Sequence, residues 1–183
     1  MTIAIVDDGI DQEHPDIAPN FRQEASYNFN TNSNNTRPVN IGLNGVSPSR
    51  SPLSISAQTN TTKDWHGTTS AGVAAARDDG KTCGVGVAPR ASLSAVVILQ
   101  SGAVSDAVEA RAITHALEIN DIYSNSWGPV DDGRRKEAPG PLTQRAFEHA
   151  LQNGRNGLGY VINEATIQCC ANAMQHDLRV GRG

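Results

Sequence analysis

The sequence predicts an α/β fold, a parallel sheet wound with helices on both faces. Two aliphatic runs, residues 2–6 (TIAIV) and 93–99 (LSAVVIL), are apolar almost throughout instead of alternating with polar residues. Strands of that kind are buried on both faces, and helices must supply the cover. The runs also interleave with helical patterns in the order strand, helix, strand, helix, strand, helix, strand, which right-handed crossovers join. With 183 residues the chain has room for one domain, or part of a larger one, at about 150 residues per domain.

Residues 2–6 end in Asp7-Asp8-Gly9, so the first strand opens directly into a turn. From residue 27 to 63 the chain is dense in Asn, Ser, Thr and Pro without periodicity, as expected of an elaborated surface excursion. Order returns at His66, and residues 67–76 are small enough for a helix packed closely on a sheet. After the turn Gly80-Lys81-Thr82-Cys83-Gly84 comes the second strand, residues 93–99. A helix follows, with Ser105 as N-cap and Asp106 in its first turn. Its Val108, Ala112, Ile113, Ala116 and Leu117 recur at helical spacing and form one inward stripe.

The third strand spans residues 122–127 and ends in Gly128-Pro129. A third helix over 142–153 turns Leu142, Ala146, Phe147, Ala150 and Leu151 inward, with Gly154 at C′. Residues 160–162 open a fourth strand. There is no internal repeat.

Apolar residues at 38% permit a core, and aromatics at only 4% require it to be mostly Ala, Val, Ile and Leu. Fifteen Lys and Arg against nineteen Asp and Glu leave a net charge of −4, which disfavours nucleic acid or an anionic membrane as partner. No apolar run approaches the roughly 20 residues that cross a bilayer, and residues 3–6 are too short for a signal-peptide core. Three cysteines, Cys83, Cys169 and Cys170, make no disulfide framework.

In an open parallel sheet, ligands meet the carboxyl ends of the strands. Asp7 stands at one such end, His66 opens a helix as His-Gly-Thr, and Ser126-Trp127-Gly128 closes another strand. Singly, each reads as a cap or a core residue. Jointly, Ile5-Val6-Asp7-Asp8-Gly9-Ile10-Asp11 with His14-Pro15-Asp16, then His66-Gly67-Thr68-Thr69-Ser70-Ala71-Gly72, then Asn120-Asp121-Ile122-Tyr123-Ser124-Asn125-Ser126-Trp127-Gly128-Pro129-Val130-Asp131-Asp132-Gly133 form a distinctive set. It resembles the subtilisin-like serine proteases, and most closely their kexin/furin (proprotein convertase) branch. The resemblance covers roughly residues 2–161 and weakens over 28–63. It implies a subtilisin-like sheet, incomplete at its C-terminal side, with residues 1–162 as the N-terminal part of a peptidase catalytic domain and 163–183 as a divergent tail.

What the resemblance implies for chemistry can be stated residue by residue. Asp7 would hold the imidazole of His66 in the useful tautomer, and His66 would act as general base and then general acid. The chain order, Asp before His with Ser expected last, is subtilisin's own. Ser126, Trp127 and Gly128 match the edge segment that pairs with the substrate backbone as an added strand. The convertase branch cleaves after paired basic residues, and the matching carboxylates are Asp8, Asp64, Glu109, Asp131 and Glu137, since a desolvated cation needs a partner. Glu109 matches across a one-residue insertion near Ser101 and is equally suited to a solvated helix surface. Basic polypeptide precursors are thus the implied partners, and the secretory pathway (Golgi) or the extracellular space the implied location of an intact parent.

Calcium is the implied cofactor, with Asp16 and Asp79 as ligands and further oxygens from the loop 78–84. That loop departs from the pattern by placing Gly80 where the family offers an Asn amide. Two other echoes fail. His14-Pro15-Asp16 lacks the flanking long helices of a J-domain, and Gly84-Val85-Gly86 does not follow a strand as a dinucleotide loop must.

Past the fourth strand the family pattern stops. The glycine-rich setting of an oxyanion Asn is missing around Asn163, and no Gly-Thr-Ser-Ala stretch supplies a nucleophile. Ser70, four residues beyond His66 on the same helix, suits packing beneath the imidazole and not attack. Cys83 corresponds to a family cysteine whose disulfide partner lies much further along. Cys169, Cys170 and His176 are a poor tetrahedral set. Two expectations follow: an inactive part of a dibasic-processing endopeptidase, or a pseudoprotease that binds basic peptides without chemistry.

Overall fold

The structure is a computed structural model, and it describes residues 1–41, 62–63, 65–79, 84–100, 104–128 and 138–164. Its main sheet holds five parallel strands in the order β2 (Tyr27–Asn28), β5 (Ser92–Val97), β1 (Thr2–Asp7), β6 (Ile122–Asn125), β7 (Val161–Glu164). A separate antiparallel pair joins β3 (Asn40–Ile41) to β4 (Thr62–Lys63). Among the described residues the α-helices are α1 (His66–Ala75), α2 (Asp106–Ala112) and α3 (Pro141–Gly157).

The first strand is the centre of the architecture. It pairs with β5 on one side, from Thr2↔Ser92 to Asp7↔Val97, and with β6 on the other, from Ile3↔Ile122 to Val6↔Asn125. Period-two alternation divides its side chains between the faces. Ile3 and Ile5 pack with Leu93, Ala95, Val97 and the Ala71 and Ala75 of α1. Ala4 and Val6 pack on the opposite face with Val96, Ala112, Tyr123 and Ala150, beneath α2 and α3. Burying a side chain such as Ile5 or Leu93 contributes about 1.5–3 kcal/mol. Asp7 shares the parity of Ile3 and Ile5, so its carboxylate belongs to the α1 face.

The sheet and both helical layers agree with the expectation from the sequence, and four details differ. First, Tyr27 and Asn28 are not part of a surface excursion but pair with Val96 and Val97 at the sheet edge. Second, α2 stops at Ala112 and gives way to turns, with Ala116 at φ +53°. Thr114 Oγ1 donates to the carbonyls of Ala110 and Arg111, a local bond that competes with continued helix. The freed carbonyl of His115 accepts from Asn120 Nδ2 at 3.0 Å and the Tyr123 hydroxyl at 2.6 Å. Ile113 and Leu117 are nonetheless buried as expected.

Third, the inward face of α3 is Thr143, Ala146, Ala150 and Gly154, whereas Leu142 and Leu151 are each 44% exposed. Fourth, Gly154 is not a left-handed C′ residue. Its φ and ψ are −62° and 146°, and the left-handed turn falls on Arg155 and Asn156. Glycine is required there for space, since a Cβ would stand 2.9 Å from that of Tyr160.

Ser105 caps α2 as predicted, but the role of Asp106 is longer-range. Its carboxylate accepts from the amides of Leu142 and Thr143 and from the Thr143 hydroxyl, so it caps α3. Among the described residues, no helix is long and apolar enough to cross a membrane.

His115 lies against Tyr27 and Phe29, its ring centroid 5.6 Å from each. Its Nε2 is buried without a hydrogen-bond partner among the described residues, and burial holds its pKa below the usual 6.5, with Glu118 opposing and Arg111 reinforcing that effect. The unfolded chain therefore takes up this proton more readily than the folded one. The neutral ring's contribution to stability is complete above pH 6.5 and is lost as pH falls below it. Urea unfolding measured on both sides of that value should show the loss in wild type and a smaller one in His115→Gln.

Candidate active site

The end of β1 and the start of α1 meet on the α1 face of the sheet. Gly67 makes the approach possible: a Cβ there would stand 2.9 Å from Asp7 Cβ and 2.9 Å from Asp8 Oδ1. Across this contact, with its proton on Nδ1, His66 donates to Asp7 Oδ2 at 2.8 Å and Oδ1 at 3.0 Å. Asp7 is 1% exposed, while the His66 side chain is half exposed. Nε2 is then the ring nitrogen left to take a proton from a group in the cleft.

Asp7 is further held by the Asp8 amide, which donates to its Oδ1 at 2.8 Å. Burial pushes its carboxyl above the ordinary carboxylate range. The Asp8 amide pulls it back, the Asp8 charge raises it further, and His66 lowers it. Burial has the largest effect, so an ionised Asp7 costs the fold stability. Held between an amide and an imidazole, that charge stabilises an imidazolium when one forms.

The carboxylate of Asp8 turns toward the helix instead. Its Oδ1 accepts from the Gly67 amide at 2.7 Å and its Oδ2 from the His66 amide at 3.1 Å. Trp65, the residue before α1, supplies no side-chain cap, so Asp8 does this from 58 residues away. Gln100 Nε2 donates to the Asp8 carbonyl at 2.8 Å, and Thr68 Oγ1 accepts from the Asp11 amide at 2.9 Å, tying both flanks of the turn.

Residues 126–128 continue beyond β6, next to Asp7. Trp127 Nε1 donates to the Val6 carbonyl at 3.0 Å, and its ring packs against the cluster beneath α2 and α3. Ser126 is partly buried and Gly128 exposed. Asp7, Asp8, His66, Ser126, Trp127 and Gly128 are thus gathered around one strand tip. Glu109 lies on α2, across the sheet from α1. Asp64, Asp131 and Glu137 fall outside the described residues, as do Cys83, Cys169, Cys170 and His176. Ser70 lies on α1, within the first turn after His66.

Beyond the end of α1 the Arg77 amide donates to the Asp16 carbonyl at 3.0 Å, and Asp79 follows two residues later in the chain. Asp16 Oδ2 also faces His14 Nδ1 at 3.9 Å. Among the described residues, no three His, Cys, Asp or Glu side chains converge as a metal site. The six to eight oxygens that calcium takes are therefore not assembled by these residues alone.

Sequence reasoning missed three features. The capping role of Asp8 and the close approach at Gly67 are both written in the string Asp7-Asp8-Gly9 and His66-Gly67, but only the folded chain sets the two together. The third is Asn125 Oδ1, buried beside this strand tip without a hydrogen-bond partner among the described residues.

Known proteins match this geometry and sequence. The subtilase family model matches residues 1–171. A dibasic-processing endoprotease of Schizosaccharomyces pombe is 41% identical over 162 residues, covering 88% of this chain and 20% of its own. Kexin of Saccharomyces cerevisiae is 37% identical over 161 residues, covering 88% and 17%. Endoprotease bli-4 of Caenorhabditis elegans is 39% identical over 161 residues, covering 88% and 15%. The chain spans a fifth or less of the length of these relatives. Among solved structures, a serine protease of Aeromonas sobria in complex with its chaperone superposes with a TM-score of 0.63 at 24% identity, over 88% of this chain and 24% of that one. At that identity the likeness shows the fold.

A carboxyl raised in the folded state binds its proton more tightly folded than unfolded. For Asp7 this means stability is lost as pH rises upward from the unfolded value of 3.8. Asp7→Asn removes that loss. Urea midpoints taken from about pH 3 to about pH 7 should show wild type falling relative to the variant, while the His66 Nδ1 proton loses its carboxylate partner.

Proposed function

The chain belongs to the subtilase family, and on that premise we propose that it is the N-terminal part of the catalytic domain of a serine endopeptidase that cleaves polypeptide precursors after paired basic residues. The carrying observation is the Asp7–His66 pair, 2.8 Å long and set at the tip of the central strand. It supplies the orienting acid and the general base of an acyl-transfer site, in the chain order of that family. On this reading the Ser nucleophile of the parent protein is not among these 183 residues, and the chain by itself would be inactive.

The dibasic preference is supported by the name of the dibasic-processing endoprotease to which the chain is 41% identical. Chemically it would rest on the carboxylates that the family resemblance assigns to basic subsites, Asp64, Asp131 and Glu137, with Glu109 at the more distant one. Residues 126–128 would receive the substrate main chain as an added strand. The parent protein would work in the secretory pathway or outside the cell.

Two measurements test the reading. The 183-residue chain should bind a Lys-Arg peptide saturably without hydrolysing it, and should bind an acidic peptide of the same length far more weakly. Equal binding of both, or neither, overturns the dibasic preference. In the longer protein that includes the nucleophile, His66→Ala should cut kcat by about a millionfold, the magnitude known for subtilisin itself. Unchanged turnover there would remove His66 from the mechanism.

Calcium completes the proposal. Asp16 and Asp79 would be two of its ligands, supported by the bond that fixes the Arg77 amide to the Asp16 carbonyl at 3.0 Å. The ion's contribution would be structural, holding the end of α1 against the segment after β1. Millimolar calcium should raise the thermal midpoint of wild type and leave that of Asp16→Asn unmoved. Calorimetry showing no calcium binding would refute this part alone.

A further inference from the structure

We infer that Asp8 is a positioning residue for the general base: its carboxylate fixes the main chain of His66 so that the imidazole meets Asp7 through Nδ1. The inference rests on the proposed role of the Asp7–His66 pair.

Four observations carry it. Both Asp8 oxygens are engaged by α1, one by the amide of His66 itself at 3.1 Å and the other by that of Gly67 at 2.7 Å. Asp8 is 8% exposed, so its carboxylate is held within the fold against α1. Trp65 supplies no side-chain cap, and among the described residues the side chain that accepts from the first two amides of α1 is Asp8. Finally, its charge is unfavourable for its neighbour, because it pushes Asp7 toward the protonated form. The favourable side of that arrangement lies in the two amides it binds.

The geometry explains the consequence. His66 is half exposed and sits in the first turn of α1, where main-chain amides have no partner within the helix. An imidazole on an uncapped, fraying turn can offer either nitrogen. Two charge-assisted bonds from one planar group fix the height and the rotation of that turn relative to β1. The Asp7 carboxylate, rigid at the end of the central strand, then always meets the same nitrogen. Asp7 selects the tautomer, and Asp8 keeps the ring where that selection operates.

The test reads the tautomer directly. Ring nitrogen-15 shifts of the 183-residue chain, at about pH 8 where histidines are neutral, give the ratio of Nδ1–H to Nε2–H for His66, assigned with His66→Gln. Wild type should be dominated by Nδ1–H. Asp8→Ala should shift the ratio toward Nε2–H by about tenfold, and Asp8→Asn, which keeps one accepting oxygen, by less. A cap with only a structural role would lower the unfolding midpoint while leaving the ratio of the folded molecule untouched. A folded Asp8→Ala with the wild-type ratio overturns the inference. Should that variant not fold, a folded Asp8→Asn with the wild-type ratio overturns it equally. A wild-type ring dominated by Nε2–H would instead bring down the Asp7–His66 pairing, and the proposed function with it.

Discussion

The N-terminus of α1 lies closer to the tip of β1 than any side chain at residue 67 would allow, and the candidate site depends on that contact. Adding even one methyl group at Gly67 would set it against Asp7 Cβ and Asp8 Oδ1 at 2.9 Å. Interiors packed at crystal-like density answer such an insertion with backbone shifts, at a cost of about 1–3 kcal/mol. Here the shift would open the gap between a carboxylate and an imidazole that are bonded at 2.8 Å. β1 can serve as the fixed side of this contact because it is paired on both edges and covered on both faces.

The two faces of the sheet divide the work by side-chain size. Toward α1 the layer is built largely from alanine and branched aliphatic residues, with the helix contributing Ala71 and Ala75. Small side chains let the helix approach, and close approach is what a hydrogen bond between strand and helix requires. The aromatic residues Tyr27, Phe29, Tyr123, Trp127, Phe147 and Tyr160 gather on the other face. There Tyr27 meets Phe29 edge-on at 4.9 Å and Tyr123 meets Tyr160 at 5.4 Å. Such pairs add about 0.5–1.5 kcal/mol beyond area burial. A chain with only 4% aromatic residues has placed most of them on the face of the sheet opposite α1.

Two of the three helices are capped from a distance. Neither Trp65 before α1 nor Gly140 before α3 provides a side-chain cap. Asp8 serves the first, and Asp106, itself the opening residue of α2, serves the second. A local cap stabilises only its own helix. A cap contributed by another element makes the two elements' positions interdependent, so α1 is registered to β1 and α3 to α2. The buried charge of Asp7 is an expense of this arrangement: burial opposes its ionisation, and the bonds from Asp8 and His66 offset part of that cost.

Much of the architecture was readable along the chain because its causes are local in sequence. Uninterrupted aliphatic runs dictated doubly covered strands, and the periodic Val108, Ala112, Ile113, Ala116 and Leu117 marked an inward stripe, of which Ala112, Ile113 and Leu117 are buried even though α2 itself ends at Ala112. Asp7 and His66 stood out because strand ends and helix starts are where an α/β sheet presents chemistry. What the folded chain decided involves residues far apart in sequence. The chain leaves the helical path at Ala112, just before Thr114 turns its hydroxyl onto the Ala110 and Arg111 carbonyls, although the periodicity would have continued the helix. The face of α3 turned outward at Leu142 and Leu151, and Asp106 left its own helix to cap another. Asp8 looked like one more acidic side chain beside a cleft until α1 came to rest on it. A carboxylate's role is set by whichever donors reach it first, and which donors those are is a property of three dimensions.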